Sequence, residues 1–153
     1  MSEMVEALQK CELFGPLSHE NVEQIATLSQ IQSYKAGETV FTQGEYKTEL
    51  YLIVEGQIAL LRWVSLGGRE ATVTIALLGR GRGLGLSTLV GELGSTTASA
   101  VCQKPTRLIS LDGPRLREML ETRPEMGCQV MERVAYVLYD RLRSAYGAMD
   151  TFR

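Results

Sequence analysis

Hydrophobic positions divide the chain into three regimes. Near the N-terminus Val5 and Leu8 hint at a short helix, and Gly15-Pro16 breaks whatever precedes it. Ser18 then has the character of an N-cap, with Leu17 and Val22 at hydrophobic-staple spacing. Val22, Ile25, Ala26 and Leu28 give that helix one apolar face through about Ser29. From Ile31 the period changes to alternation. The pattern predicts strands over 39–42, 50–54, 57–64, 70–78, 97–102 and 106–111, separated by turns at Gly37, Gly44, Gly56 and Gly67-Gly68 and at Lys104-Pro105. Short strands at this spacing indicate an antiparallel sandwich or barrel.

After Leu111 the helical period returns. Asp112 and Pro114 are start signals for a short helix with Leu116, Met119 and Leu120 on its apolar face. Thr122, Pro124 and Glu125 open a longer helix to about Gly147. Met131, Val134, Leu138, Leu142, Ala145 and Met149 step along it by threes and fours, and Val130, Tyr136 and Val137 widen its apolar surface. A helix covered on one side needs only one stripe, so this breadth predicts contact with both the barrel and a second copy of the chain.

Composition sets bounds on this picture. With 153 residues, 44% of them hydrophobic, one globular core is expected. The 16 Lys and Arg nearly balance 18 Asp and Glu, which argues against a dedicated nucleic-acid surface. Cys11, Cys102 and Cys128 are scattered and odd in number, so they read as reduced thiols rather than a disulfide framework or metal site. The acidic N-terminus has no signal-peptide character, and no apolar run approaches the ~18 residues of a membrane span. The expectation is a soluble cytoplasmic protein without a membrane or DNA-binding element. No catalytic Ser/His/Asp or paired-carboxylate arrangement is legible, and His19, the single histidine, starts a surface helix; the chain does not read as an enzyme.

One stretch stands apart. Residues 79–101 carry glycines at 79, 81, 83, 85 and 91, then Ser87 and Thr88, then Ser95, Thr96 and Thr97. Glycines admit close backbone approach to a ligand, and a helix starting at Ser87 or Thr88 would direct free N–H groups at an anion. A plain surface loop between strands is the alternative.

Tyr34-Lys35-Ala36-Gly37-Glu38, Gln43-Gly44-Glu45 and Leu50-Tyr51-Leu52-Ile53-Val54-Glu55-Gly56-Gln57, in this order of elements, resemble the cyclic-nucleotide-binding domain. That is the sensor domain of catabolite-activator/FNR regulators, of the protein kinase A regulatory subunit and of certain ion channels. The resemblance covers about residues 10–148 and implies a mainly β fold with flanking helices. A double-stranded β-helix (jelly-roll) barrel over about 31–111 would precede a short and a long helix over about 113–148, all in one domain spanning 1–153.

The family's phosphate-binding cassette runs F-G-E-x-[AS]-L-L, a variable stretch, then P-R-x-A-[TS]. Here it reads Leu84-Gly85-Leu86-Ser87-Thr88-Leu89-Val90 and Ser95-Thr96-Thr97-Ala98-Ser99. The resemblance implies ligand contacts at Gly85, Leu86, Ser87, Thr88, Ser95, Thr96 and Thr97. Two positions depart: Leu86 replaces the glutamate that accepts the ribose hydroxyl, and Thr96 replaces the arginine that pairs with the phosphate. Losing two charged hydrogen bonds weakens binding by roughly 3–6 kcal/mol, about 10² to 10⁴-fold. Arg82, just upstream, is the candidate to compensate. If only those contacts are missing, Leu86→Glu with Thr96→Arg should restore binding.

Three functions fit. The first is a sensor for a cyclic nucleotide or other small anionic ligand, acting as a homodimer through Met131, Val134, Leu138, Leu142 and Ala145. The second is an empty-pocket module that engages another regulatory protein, its pocket plugged by Leu84 and Leu86. The third is the effector half of a transcription regulator.

Overall fold

The computed structural model describes residues 2–90 and 95–150. Two helices come first, α1 (Glu3–Lys10) and α2 (His19–Ala26). Each starts where a serine hydroxyl accepts a backbone N–H that the helix itself leaves unpaired. Ser2 Oγ accepts from Val5 N at 3.1 Å and Ser18 Oγ from Asn21 N at 3.2 Å. Leu17 and Val22 are both buried, as a staple requires.

Eight strands form two four-stranded antiparallel sheets. One has the order β1 (Ser29–Tyr34), β8 (Thr106–Asp112), β3 (Glu49–Glu55), β6 (Gly83–Leu84); the other is β2 (Thr39–Phe41), β7 (Ser99–Cys102), β4 (Ile58–Leu66), β5 (Arg69–Leu78). Face to face they make the expected jelly roll. β3 and β8 read as nearly unbroken apolar runs because both faces are covered. Tyr51, Ile53 and Leu108 point between the sheets with Phe41, Ile58 and Leu78. Their neighbours Leu50, Leu52, Ile109 and Leu111 point outward, onto a second core made with the helices.

α3 (Gly113–Thr122) and α4 (Pro124–Met149) close that second core. Asp112 caps α3 by accepting from Arg115 N at 3.1 Å, and Pro114 sits in its first turn, where a missing N–H costs nothing. Met126, Val130, Val134 and Val137 form the buried face of α4. This corrects one expected interface residue. Val134 is 1% exposed and packs inside its own chain, so it cannot meet a second copy. Steps of three and four occur on both faces of the helix, and the sequence pattern had merged two stripes into one.

Helix α2 ends at Ala26 and β1 already begins at Ser29, where the helix was expected to run to about Ser29 and the alternation to start at Ile31; the other strand positions follow the alternation. The two-residue β6 is an addition that periodicity has no power to predict. The strand expected to start at residue 97 starts at Ser99, with Thr97 and Ala98 in the bend before it.

Gly56 turns the chain between β3 and β4 at φ +110°, where an added Cβ would lie 2.7 Å from the Thr106 Cα. Gly56→Ala should therefore lose at least about 2 kcal/mol, from both the left-handed backbone and displacement of Thr106. Urea unfolding measures this, and an unchanged midpoint would contradict the close approach.

Candidate ligand site

The glycine-rich stretch leads from the end of β5 across to α3. Gly81 N donates to Ile53 O at 2.8 Å and Ile53 N donates to Arg82 O at 3.0 Å, pinning the loop to β3. At Gly85 the backbone turns left-handed, φ +73°, and a Cβ there would lie 2.8 Å from the Glu49 carbonyl. Only glycine fits that approach. Residues Leu86–Leu89 then make one 3₁₀ turn, too short to be the anion-binding helix start expected at Ser87 or Thr88.

Between this turn, the β2–β7–β4–β5 sheet and α4 lies a cavity of about 690 Å³. Its size falls within the usual range for small-ligand pockets. Gly85, Leu86, Ser87, Ser95, Thr96 and Thr97 all line it, as the cassette reading requires. Leu84 and Leu86, the plug of the empty-pocket alternative, form wall rather than filling. Leu60, Ile75 and Ala98 extend the apolar lining, and Leu138, Leu142 and Ala145 form the side contributed by α4. The charged lining residues are Arg62 and Arg141; no carboxylate lines the cavity among the described residues. Gly91 and the variable part of the cassette, 91–94, lie outside the described residues.

Two expected ligand residues are placed elsewhere. Thr88 turns its hydroxyl away to donate to Thr48 O at 3.2 Å, beneath the start of α3, and does not line the cavity. Arg82 is likewise not in the lining, because carboxylates claim it. Its Nε donates to Glu12 Oε1 at 2.9 Å and its Nη2 to Asp140 Oδ2 at 3.0 Å. It cannot serve as the substitute phosphate ligand while so held.

The two departures from the cassette also have structural work. Leu86 is 7% exposed and belongs to the helix-side core. Thr96 Oγ1 donates to Thr42 O at 2.6 Å and accepts from Glu45 N at 3.2 Å, tying down the β2–β3 connection. Exchanging them for glutamate and arginine therefore removes packing and two hydrogen bonds as well as adding charge.

Glu12 and Arg141 are what the sequence reading missed. Glu12 follows α1 and reaches under the glycine loop, where Oε2 accepts from Gly83 N at 2.6 Å and from Arg141 Nη2 at 3.3 Å. Arg141 Nη2 also donates to Gly83 O at 2.6 Å, and Arg133 Nε donates to the Glu12 carbonyl at 2.7 Å. Burial pulls the Arg141 guanidinium below its ordinary pKa, opposed chiefly by Glu12. The only clue in the sequence is that Arg141 continues, with a charge, the apolar series Val130, Val134, Val137. A cation on the inward face of a helix marks a partnered site.

A family model described as cyclic nucleotide-binding domain matches residues 31–123. The chain belongs to this family. It is similar to the cyclic AMP receptor protein of Thermus thermophilus, at 35% identity over 138 residues, 90% of this chain and 60% of that protein. Among solved structures, a cyclic nucleotide-binding domain from Methylobacillus flagellatus KT has a TM-score of 0.78 at 25% identity, covering 99% of this chain and 83% of that one. The Thermus thermophilus catabolite activator protein gives 0.69 at 33% identity, covering 92% and 62%. The chain spans about three fifths of the length of the curated relatives it matches, 60% of one and 59% of another. In this cyclic nucleotide-binding domain the cavity adjoins the glycine-rich stretch. Leu86 and Thr96 both stand in the cavity wall, and neither brings a charge to it.

The Glu12 cluster should govern how firmly α4 is held. Glu12→Ala leaves the buried Arg141 without its carboxylate and Arg82 with Asp140 alone, and should cost about 3–5 kcal/mol. Guanidinium unfolding gives the total, and hydrogen exchange should quicken in α4 after Val137. Unchanged exchange there would show that apolar packing alone fixes the helix.

Proposed function

We propose that this chain is a ligand-sensing regulatory module, one domain over residues 1–153, that pairs with a second copy through α4 and does not use cyclic AMP or cyclic GMP as its ordinary ligand. It is a sensor rather than an enzyme, working in the reducing cytoplasm. The observation carrying this reading is the cavity itself: roomy, walled on one side by α4, and lacking the two charged contacts of the cassette. A ligand that closes the cassette on α4 stabilises one position of that helix over another, which is all a two-state sensor needs.

The pairing reading rests on the outward face of α4. Met131, Ala135, Leu138, Leu142, Ala145 and Met149 alternate steps of four and three, the spacing of a coiled-coil seam. Met131, Leu138, Leu142 and Met149 are all exposed, at 37%, 42%, 48% and 64%. Cys128 is exposed and continues the series by one more step, whereas Cys11 and Cys102 are buried. Burial also pushes the Cys11 thiol up to about 11, away from reactive thiolate.

A second reading makes the module the effector half of a catabolite-activator-type transcription regulator. What favours it is the three-fifths coverage of curated regulators. The coding sequence past Arg153 decides it: a helix-turn-helix in frame supports the reading, and a stop codon removes it.

In a parallel pair the two Cys128 residues face each other within disulfide reach. Mild oxidation should therefore crosslink the wild type through Cys128, reversibly with reductant. Cys128→Ser should abolish the crosslink, and Leu138→Glu with Leu142→Glu should give monomers by sedimentation. A wild type that sediments as a monomer overturns the pairing.

Calorimetry should find cyclic AMP and cyclic GMP binding weaker than micromolar. Contrary to the sequence expectation, Leu86→Glu with Thr96→Arg should lower stability without creating tight binding, because both native side chains hold the local structure. Micromolar binding by the wild type would overturn the ligand assignment.

A further inference from the structure

Arg141 holds a donor that no described residue takes in a hydrogen bond. Its side chain is 12% exposed, and Nη2 is engaged by Glu12 and the Gly83 carbonyl. Nη1 is closed to solvent and has no hydrogen-bond partner among the described residues, its ion-pair neighbour Asp140 Oδ2 lying at 4.0 Å. A buried, charged donor left unpaired is costly, and such a group is a reason to look for a missing partner. Water does not reach Nη1 in this packing. The residue does line the cavity, where an acceptor brought by an occupant would be the partner that Nη1 lacks.

The rest of the lining narrows the partner. With Arg62 and Arg141 as its charges and no carboxylate among the described residues, the cavity favours an anion. Arg62 already donates to Thr97 O at 2.5 Å near the exposed edge, whereas Arg141 stands on the helix side beside Leu138 and Leu142. Where the cassette would otherwise meet sugar hydroxyls, the wall presents Leu86, and the Thr96 hydroxyl is committed to Thr42 and Glu45. Ser87, Ser95 and Thr97 leave some polar groups in the wall, but the lining is mainly apolar, and a ligand with many hydroxyls would be desolvated against it. An apolar middle would be welcome.

We propose that the cavity takes an organic acid with an apolar aryl or alkyl body, its carboxylate held by Arg141 of α4 instead of by an arginine of the cassette. The proposal rests on the sensor reading and adds to it the ligand class and the contact that couples ligand to helix. No covalent step is involved.

The test compares a matched pair of probes, naphthoate and its neutral amide naphthamide, by calorimetry on the whole chain. The wild type should bind naphthoate roughly tenfold to a hundredfold more tightly than naphthamide, the ratio expected of one charged hydrogen-bonding contact. Arg141→Gln should bring the ratio close to one, and Arg62→Gln should preserve most of the ratio. Because Arg141→Gln also removes the Gly83 and Glu12 contacts and can unfold, the wild type provides an independent readout. The side-chain Nε–H resonance of Arg141 should shift with naphthoate and not with naphthamide. Equal binding of acid and amide, or a ratio that survives Arg141→Gln, overturns the anion site and leaves the sensor standing. If neither probe nor cyclic AMP binds at millimolar concentration, the sensor and the anion site both fall.

Discussion

The carboxylate of Glu12 is the contact on which the arrangement of this molecule depends. It lies where three separately folded pieces meet: the end of α1, the glycine loop before β6, and the second half of α4. One oxygen accepts from Arg82, the other from the Gly83 amide and from Arg141. The backbone of the same residue is used too, its N–H donating to Gly81 O at 2.9 Å and its carbonyl accepting from Arg133. Isolated surface ion pairs contribute little, but this one is largely withdrawn from solvent, and each partner is fixed by a second bond. The apolar core packs α4 on the barrel, and the Glu12 cluster ties that helix to α1 and to the glycine loop.

The same contacts set the character of the cavity wall. Leu86 belongs to the helix-side core and Thr96 braces a neighbouring loop. The nearby positive charge comes from other positions: Arg82 secures the glycine loop to α4, and Arg141 contacts that loop and lines the cavity.

How much of this was legible in the sequence follows from what periodicity can encode. β3 and β5 have runs long enough to declare a period, and their bounds moved by one residue. β6 spans two residues and declares nothing. The long helix was evident, but its two faces were not separable, since Val134 and Met131 obey the same spacing and differ only in what the fold sets against them. The cavity residues nearest the glycines were found because glycine and hydroxyl composition is a local signal. Arg82 was misjudged because proximity in sequence says nothing about which carboxylate arrives from elsewhere. Glu12 lies 71 residues from Gly83, and a pairing of that separation is invisible until the chain is folded.

Leu138 and Leu142 line the cavity and are also 42% and 48% exposed. The partition between inside and outside is there a single helix thick. No chain of intermediaries has to carry information across it, because the atoms that register an occupant are already part of the exterior. The same economy removes insulation: a substitution selected to improve what the outer surface touches alters the chamber behind it, and neither property can drift alone.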